Sequence, residues 1–573
     1  MHNPGDPRAK LITAEQQGCL VQALASAEMR AQQVELSEIL CDLHNASFIN
    51  LASDHNLAAI DALDHNDFWI VMHPLDKAIA GLVCSHLDVL KLVHRLVLKA
   101  GSDGAAGLPN ISLVTWCKNN PAKAREIVEG VKELDDLCLA HGVFAVVGLG
   151  DEALAFDLIR QSNTSVVSIG LRAIGRVETV SSVGIRQGVD DASKVIEGQI
   201  DAETRIAAIE AAFRLWEKLG SGEDYRQQEF IESIGKTGDP TELSVLSGML
   251  FFHDKGLSKE SIDQVLGLLE RIPSNSVATL HNLDHAIKDN DDRWDFHRVA
   301  GVFATCIPRL DEKARKKDYY SFSKWVWRKP DHSSYLFSKW LSGGEFTLCS
   351  FLADLLSADD KGAEVWLQKN HLPLDLHDQK FLAQKCIGFL WHHEVTAASV
   401  LLSIVKNGEP KARVEAEKLL LNPLLLSYGG DLRIFVEAQC SNASKRISEC
   451  AKRLISKHDT HIADLERAQS LVELLPPIEH RRAVAIKDRD RNRDIQKHAH
   501  EQSIFARLAT RQTLLYGRKS FSIIHGAEGK KHPNISPLSE FSHSIELPRL
   551  MVVDPVGFNA MIFMFRAKTR KPS

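Results

Sequence analysis

The chain is short of the features that mark secreted proteins, membrane proteins and the common enzyme classes. Its ten cysteines (Cys19, Cys41, Cys84, Cys117, Cys138, Cys306, Cys349, Cys386, Cys440 and Cys450) are scattered over 573 residues, and no two form CxxC. That density is too low for a disulfide framework, and the spacing fits no zinc module. Reduced, mostly buried thiols of a cytosolic protein are the expected use. The amino terminus, MHNPGDPRAK, carries proline and charge where a signal peptide needs an apolar stretch. No apolar run approaches the ~20 residues needed to cross a bilayer. The longest, GVFAVVGL at 142–149, reads as a short buried segment. Glycine (34) and proline (19) are slightly scarce. Neither charge dominates, with 69 Lys plus Arg against 75 Asp plus Glu and a net of −6. These absences predict a cytoplasmic protein without a membrane partner, and the average charge argues weakly against a nucleic-acid partner.

Catalytic signatures are missing as well. GLGDEA at 148–153 matches GxGxxA on paper, but a dinucleotide site needs a strand, a turn and a helix in a parallel sheet. HGAEGKKH at 525–532 lacks the first glycine and the Ser/Thr of a P-loop, and no GxSxG occurs. His281 and His285 stand four residues apart in HNLDH, without the Glu of HExxH, and read as a polar helix face. His371, Asp375, His377, Asp378, His392, His393 and Glu394 form a denser cluster, with a His-Asp doublet at 377–378 of the kind metal phosphohydrolases use. With 25 histidines in the chain, such clusters arise by chance. The reading therefore assigns no catalytic residue, no metal and no cofactor.

What is present is helical. Hydrophobic residues make up 44% and charged residues 25%, an ordinary globular balance. From about residue 12 to 505, apolar residues recur at i, i+3, i+4 and i+7, as in LDVLKLVHRLVLKAG (88–102) and ESIDQVLGLLERI (260–272). Short Asn/Asp/Pro/Gly breaks separate segments of helical length, which predicts many antiparallel helices. Five segments share a shape: NPAKAREIVEGVKEL (120–134), NTSVVSIGLRAIGRV (163–177), DAETRIAAIEAAFRLWEKLG (201–220), GEPKARVEAEKLLLNP (408–423) and NASKRISECAKRLISK (442–457). Each opens on a turn residue and continues with a basic or polar residue beside an aliphatic one. Arg172 to Arg205 and Arg413 to Arg446 are each 33 residues apart.

These segments resemble the second helix of HEAT-like α-solenoid repeats, in which small residues let paired helices approach closely. The resemblance covers about two thirds of the chain and implies a mainly α fold built from HEAT-like helical pairs. The expected order is an N-terminal helical region (1–110), helical repeats (111–310), a basic-aromatic insert (311–345), further repeats (346–505) and a basic C-terminal module (506–573). In that module, 513–526, 542–553 and 560–567 alternate like strands, with DPVG (554–557) as a turn, so a small α+β or β-hairpin unit is expected.

The net charge divides unevenly. Residues 478–573 hold 18 basic and 9 acidic residues, a net of +9, which leaves −15 for the rest. The stretch 479–500 interleaves arginine with aspartate and reads as a solvated helix laced with i,i+3 and i,i+4 ion pairs. Arg507, Arg511, Arg518, Lys519, Lys530 and Lys531 follow with few acids and are the better phosphate candidates. A second basic island lies at 313–339, with eight basic residues and two acids. Residues 319–340 hold eight of the chain's 38 aromatics, and YSFSKW (320–325) recurs as YLFSKW (335–340) across Pro330. Lys316, Lys317, Lys324, Arg328, Lys329 and Lys339 are expected to meet phosphates, with Trp325, Trp327 and Trp340 as stacking platforms.

The resulting expectation is a non-enzymatic α-solenoid that binds nucleic acid, DNA before RNA, and protein partners as a subunit of a larger complex. A bacterial antiviral-defence complex is the suggested setting, although no motif specifies it. Two alternatives remain: a purely protein-binding scaffold, and a nuclease or base-processing enzyme on a helical scaffold.

Overall fold

The computed structural model describes residues 6–570 apart from 27–28, 30–32, 102–106, 199, 221–223, 272–276, 288–292, 311–318, 357–362, 472–475, 503–518, 526–530 and 538–547. The described chain is mainly α. It divides into two compact units, Met1–Arg328 and Lys329–Ser573.

Helix starts follow from local chemistry. Asn163 Oδ1 accepts the amides of Ser165 and Val166 ahead of the helix Thr164–Arg176. Asp201 Oδ1 accepts the Thr204 amide ahead of Ala202–Leu219. Ser85, Asp135, Ser181, Asp239, Ser258 and Asp375 cap other helices in the same way. GLGDEA is a break between two helices. Gly150 closes Asp136–Leu149 in the left-handed conformation (φ 63°), and Asp151 caps Glu152–Ile159. The apolar run before it is helix, so no dinucleotide strand exists there.

Packing in the first unit alternates. Ala202–Leu219 lies against Thr164–Arg176 on one side and Pro240–His253 on the other. Thr164–Arg176 in turn lies against Asp136–Leu149. Small residues set these distances. A Cβ on Gly170 would sit 2.8 Å from both Ala155 O and Ile159 N, and one on Gly175 would sit 3.1 Å from Ala211 Cα. Ala207, Ala208, Ile209, Ala211, Ala212, Phe213, Leu215 and Trp216 are buried on the central helix.

Many side-chain hydrogen bonds that leave their own helix span between 29 and 41 residues. Trp116 Nε1 donates to Leu82 O, 34 residues away. Ser168 Oγ donates to Thr204 Oγ1 at an offset of 36, and Arg271 Nη1 to Gly235 O, also at 36. In the second unit the Val365 amide donates to Ser399 Oγ (34), the Leu367 amide to Ser403 Oγ (36), and Arg453 Nε to Glu417 (36).

The basic-aromatic stretch forms the helices Tyr320–Arg328 and Pro330–Gly343, with Pro330 at the first position of the latter. Towards the carboxyl end, Lys519–His525 and Lys531–Pro537 form an antiparallel ribbon, with Lys519 opposite Pro537 and His525 opposite Lys531. The strand readings at 542–553 and 560–567 are corrected. Arg549–Val553 and Pro555–Ala567 are helices, while 542–547 lies outside the described residues. The DPVG segment is a helix start, with Asp554 Oδ1 accepting the Gly557 amide and Pro555 at the first position. Pro555–Ala567 packs on Leu376–Phe389: Lys385 Nζ donates to Arg566 O at 2.6 Å, and the Trp391 and Phe558 rings lie 4.8 Å apart.

Candidate nucleic-acid interface

The aromatic candidates separate by burial. Trp325 is 2% exposed and meets Phe296 edge to face at 5.2 Å, beside Phe322 stacked on Phe303 at 4.0 Å. Trp340 is 3% exposed and lies 6.2 Å from Phe351. Neither ring has a face open to a base, so both are core residues and their assignment as stacking platforms is corrected. The physical reason is that each belongs to the apolar stripe of its helix. Trp327 is half-buried.

Lys324, Arg328, Lys329 and Lys339 are exposed. The first two belong to the first unit and the last two to the second. Lys316, Lys317, Arg507, Arg511, Arg518 and Lys530 lie outside the described residues. Lys519 and Lys531 stand at strand ends, where only the backbone course is described.

The most exposed basic element is one that the sequence reading set aside. Ile478–Gln502 is a 25-residue helix, and every described side chain from Ile478 to His498 is exposed. Among the described residues, Arg481, Arg482, Lys487, Arg489, Arg491, Arg493 and Lys497 form no ion pair and no side-chain hydrogen bond. The expected lacing by i,i+3 and i,i+4 pairs is absent. The cause lies in the spacing. At 3.6 residues per turn Arg482, Arg489 and Arg493 share one stripe over roughly 16 Å, with Lys497 at its edge, and Asp490 and Asp494 fall to the flank. Several basic side chains elsewhere in the second unit are paired: Arg453 and Lys457 with Glu417, Arg433 with Asp459, and Arg570 with Asp378.

The histidine clusters do structural work. His281 stacks on Tyr319 with ring centroids 5.4 Å apart, and His285 lies 5.6 Å from the Phe251 ring. Asp284 between them is buried and accepts the backbone amides of Ser321 (3.3 Å) and Phe322 (2.7 Å). Burial raises its carboxyl above the ordinary range. His371 Nδ1 bonds Ser334 Oγ at 2.9 Å, Asp375 caps the His377 and Asp378 amides, and burial lowers His392 and His393. Among the described residues, no three His, Cys, Asp or Glu side chains converge as metal ligands would. Nor is any helix among them long and apolar enough to cross a membrane.

No family model matches the chain, and no curated protein is significantly similar to it. Among solved structures it is similar to the crystal structure of an engineered protein, at 13% identity over 80% of this chain and 99% of that one. The TM-score is 0.21, which supports no inference about fold or function.

Proposed function

We propose that the chain is an α-solenoid of two-helix repeats, with a small C-terminal α+β module, that binds nucleic acid through its phosphate backbone as a non-enzymatic subunit of a larger complex. The recurring hydrogen-bond offset supports the solenoid. The offsets run from 29 to 41 residues, the scale of one two-helix repeat.

One observation carries the nucleic-acid reading: the exposed helix Ile478–Gln502 with its unpaired arginine stripe. A helix without a buried face gains nothing from tertiary packing, which normally supplies most helical stability. Unpaired guanidiniums in a row suit phosphates, because each contact releases condensed counterions. With Trp325 and Trp340 in the core, recognition is expected to be dominated by the backbone rather than by base stacking. Fluorescence anisotropy with labelled DNA and RNA tests the reading. Combined Arg482→Glu, Arg489→Glu and Arg493→Glu substitution should weaken binding and flatten its salt dependence, and unchanged binding overturns it.

A protein-binding scaffold is the second reading, favoured by the apolar surface of the C-terminal helices. Val552, Val553, Val556, Phe563 and Met564 there are 58–79% exposed. Loss of a co-purifying protein on Val556→Asp and Phe563→Asp substitution, with no nucleic acid bound, would favour it.

A further inference from the structure

A second basic cluster lies far along the sequence from the exposed helix, in the first unit. It is assembled by packing. Arg172 and Arg176 stand one turn apart on Thr164–Arg176, and Glu210, Arg214 and Lys218 follow at four-residue steps on Ala202–Leu219. The close approach at Gly175 and Ala211 brings these two rows together. A Cβ on Gly175 would lie 3.3 Å from Arg214 Cδ.

The cluster holds more positive charge than its carboxylates balance. Glu210 Oε2 faces Arg172 Nε at 3.4 Å and Arg176 Nη2 at 3.8 Å, and Arg172 also meets Glu203 at 3.2 Å. The Arg176 guanidinium lies 5.9 Å from the Phe144 ring centroid. Lys218 Nζ donates to Val177 O. Glu217, near Lys218, has its Oε2 2.5 Å from His253 Nδ1. Arg214 makes no hydrogen bond or ion pair among the described residues, and its Nε is buried without a partner. Burial, then Arg214 and Arg172, hold Arg176 below its ordinary value. Burial, then Arg214, push Lys218 down to about 8.

A half-buried, unpaired guanidinium flanked by two further cations is destabilising unless something negative joins them. We propose that Arg172, Arg176, Arg214 and Lys218 form a binding site for a phosphate-bearing anion. Arginine forks match phosphate oxygens with two parallel hydrogen bonds, and Arg176 is held in place by Phe144 and Glu210. The anion could be a free phosphate compound or one phosphate of a nucleic-acid backbone. The site stands apart from the exposed arginine helix and does not rest on that reading.

Calorimetric titration of the full chain with pyrophosphate, at low ionic strength and without divalent cations, tests the site. Saturable binding is expected. Arg214→Gln and Arg176→Gln should each weaken it roughly tenfold, the size of one lost charge-assisted bond. Arg214→Lys should recover part of the loss, and Arg186→Gln on the Ser182–Glu197 helix should change nothing. Melting curves show whether each variant is folded. No pyrophosphate binding by the wild type, or wild-type affinity in folded Arg214→Gln and Arg176→Gln, overturns the site. A short single-stranded oligonucleotide separates the sources. If Arg214→Gln weakens the oligonucleotide and pyrophosphate displaces it, the site takes backbone phosphate. If only pyrophosphate binding responds, it takes a free anion. Loss of oligonucleotide binding in the Arg482→Glu, Arg489→Glu, Arg493→Glu variant bears on the stripe, and the Arg214→Gln and Arg176→Gln effects on pyrophosphate bear on this site, so the two readings fail separately.

Discussion

The two arginine groups differ in how they are made. On Ile478–Gln502 the cations are placed by helical spacing alone, with no ion-pair partner among the described residues. On Thr164–Arg176 and Ala202–Leu219 they are placed by packing, and Gly175 against Ala211 fixes their distance. The first group should respond to charge substitution without any change in folding. The second should be lost whenever its helices move apart. Stability and binding are therefore expected to be separable in one region and linked in the other.

The largest effect should come from removing core that looks like interface. Trp325→Ala or Trp340→Ala is expected to cost about 3–5 kcal/mol by cavity formation. Denaturant unfolding measures this, and a cost under about 1 kcal/mol would return these rings to the surface. A similar loss, about 3–5 kcal/mol, is expected from breaking the pair between Arg205 (7% side-chain exposure) and Glu242 (2%). Glu242→Ala leaves a buried guanidinium held only by Ile196 O and Thr237 Oγ1. Arg205 was grouped by sequence with Arg172, yet one is structural and the other faces the cation cluster. If Glu242→Ala proves mild, that distinction fails.

A pH effect of about 3 kcal/mol should follow from His141. It is buried, with Nε2 3.2 Å from His94 Nδ1 and Nδ1 3.2 Å from Asn110 Oδ1. Burial, then His94, lowers it to about 4 from 6.5. A folded-state value below the unfolded one means that the unfolded chain binds more protons. Its contribution is therefore complete above pH ~6.5 and is lost as the pH falls towards 4. Melting curves between pH 7 and 4 should show the loss, and His141→Gln should flatten it. The smallest effect on folding should come from the exposed stripe. Arg482→Glu, Arg489→Glu and Arg493→Glu together should move stability by no more than about 0.5 kcal/mol. A larger loss would show that the helix packs on something.

The caps and the apolar period at 163–177 and 201–220 made the helices legible, because both signals are local. The hydrogen bonds spanning 29–41 residues join unlike residue types, so the 33-residue spacing of two arginine pairs was the only sequence trace of them. Trp325 and Trp340 were misread because an aromatic beside a lysine has the same sequence signature in a core as on a platform; the stripe through Phe322 decides it. Residues 560–567 were misread as strand because a segment apolar on all sides carries no period, and Asp554-Pro555 was the better signal. Arg214 could not be singled out from sequence, because its isolation depends on which carboxylates reach it across two helices.

The exposed arginine stripe is proposed to bind nucleic-acid phosphates. Its most direct test is the slope of log K against log salt for the wild type and the Arg482→Glu, Arg489→Glu, Arg493→Glu variant. A steep negative slope is expected for the wild type, about −0.7 to −0.9 per phosphate contact, shallower by roughly three in the variant. Equal slopes in the two proteins, or a wild type that does not bind at low salt, would contradict it.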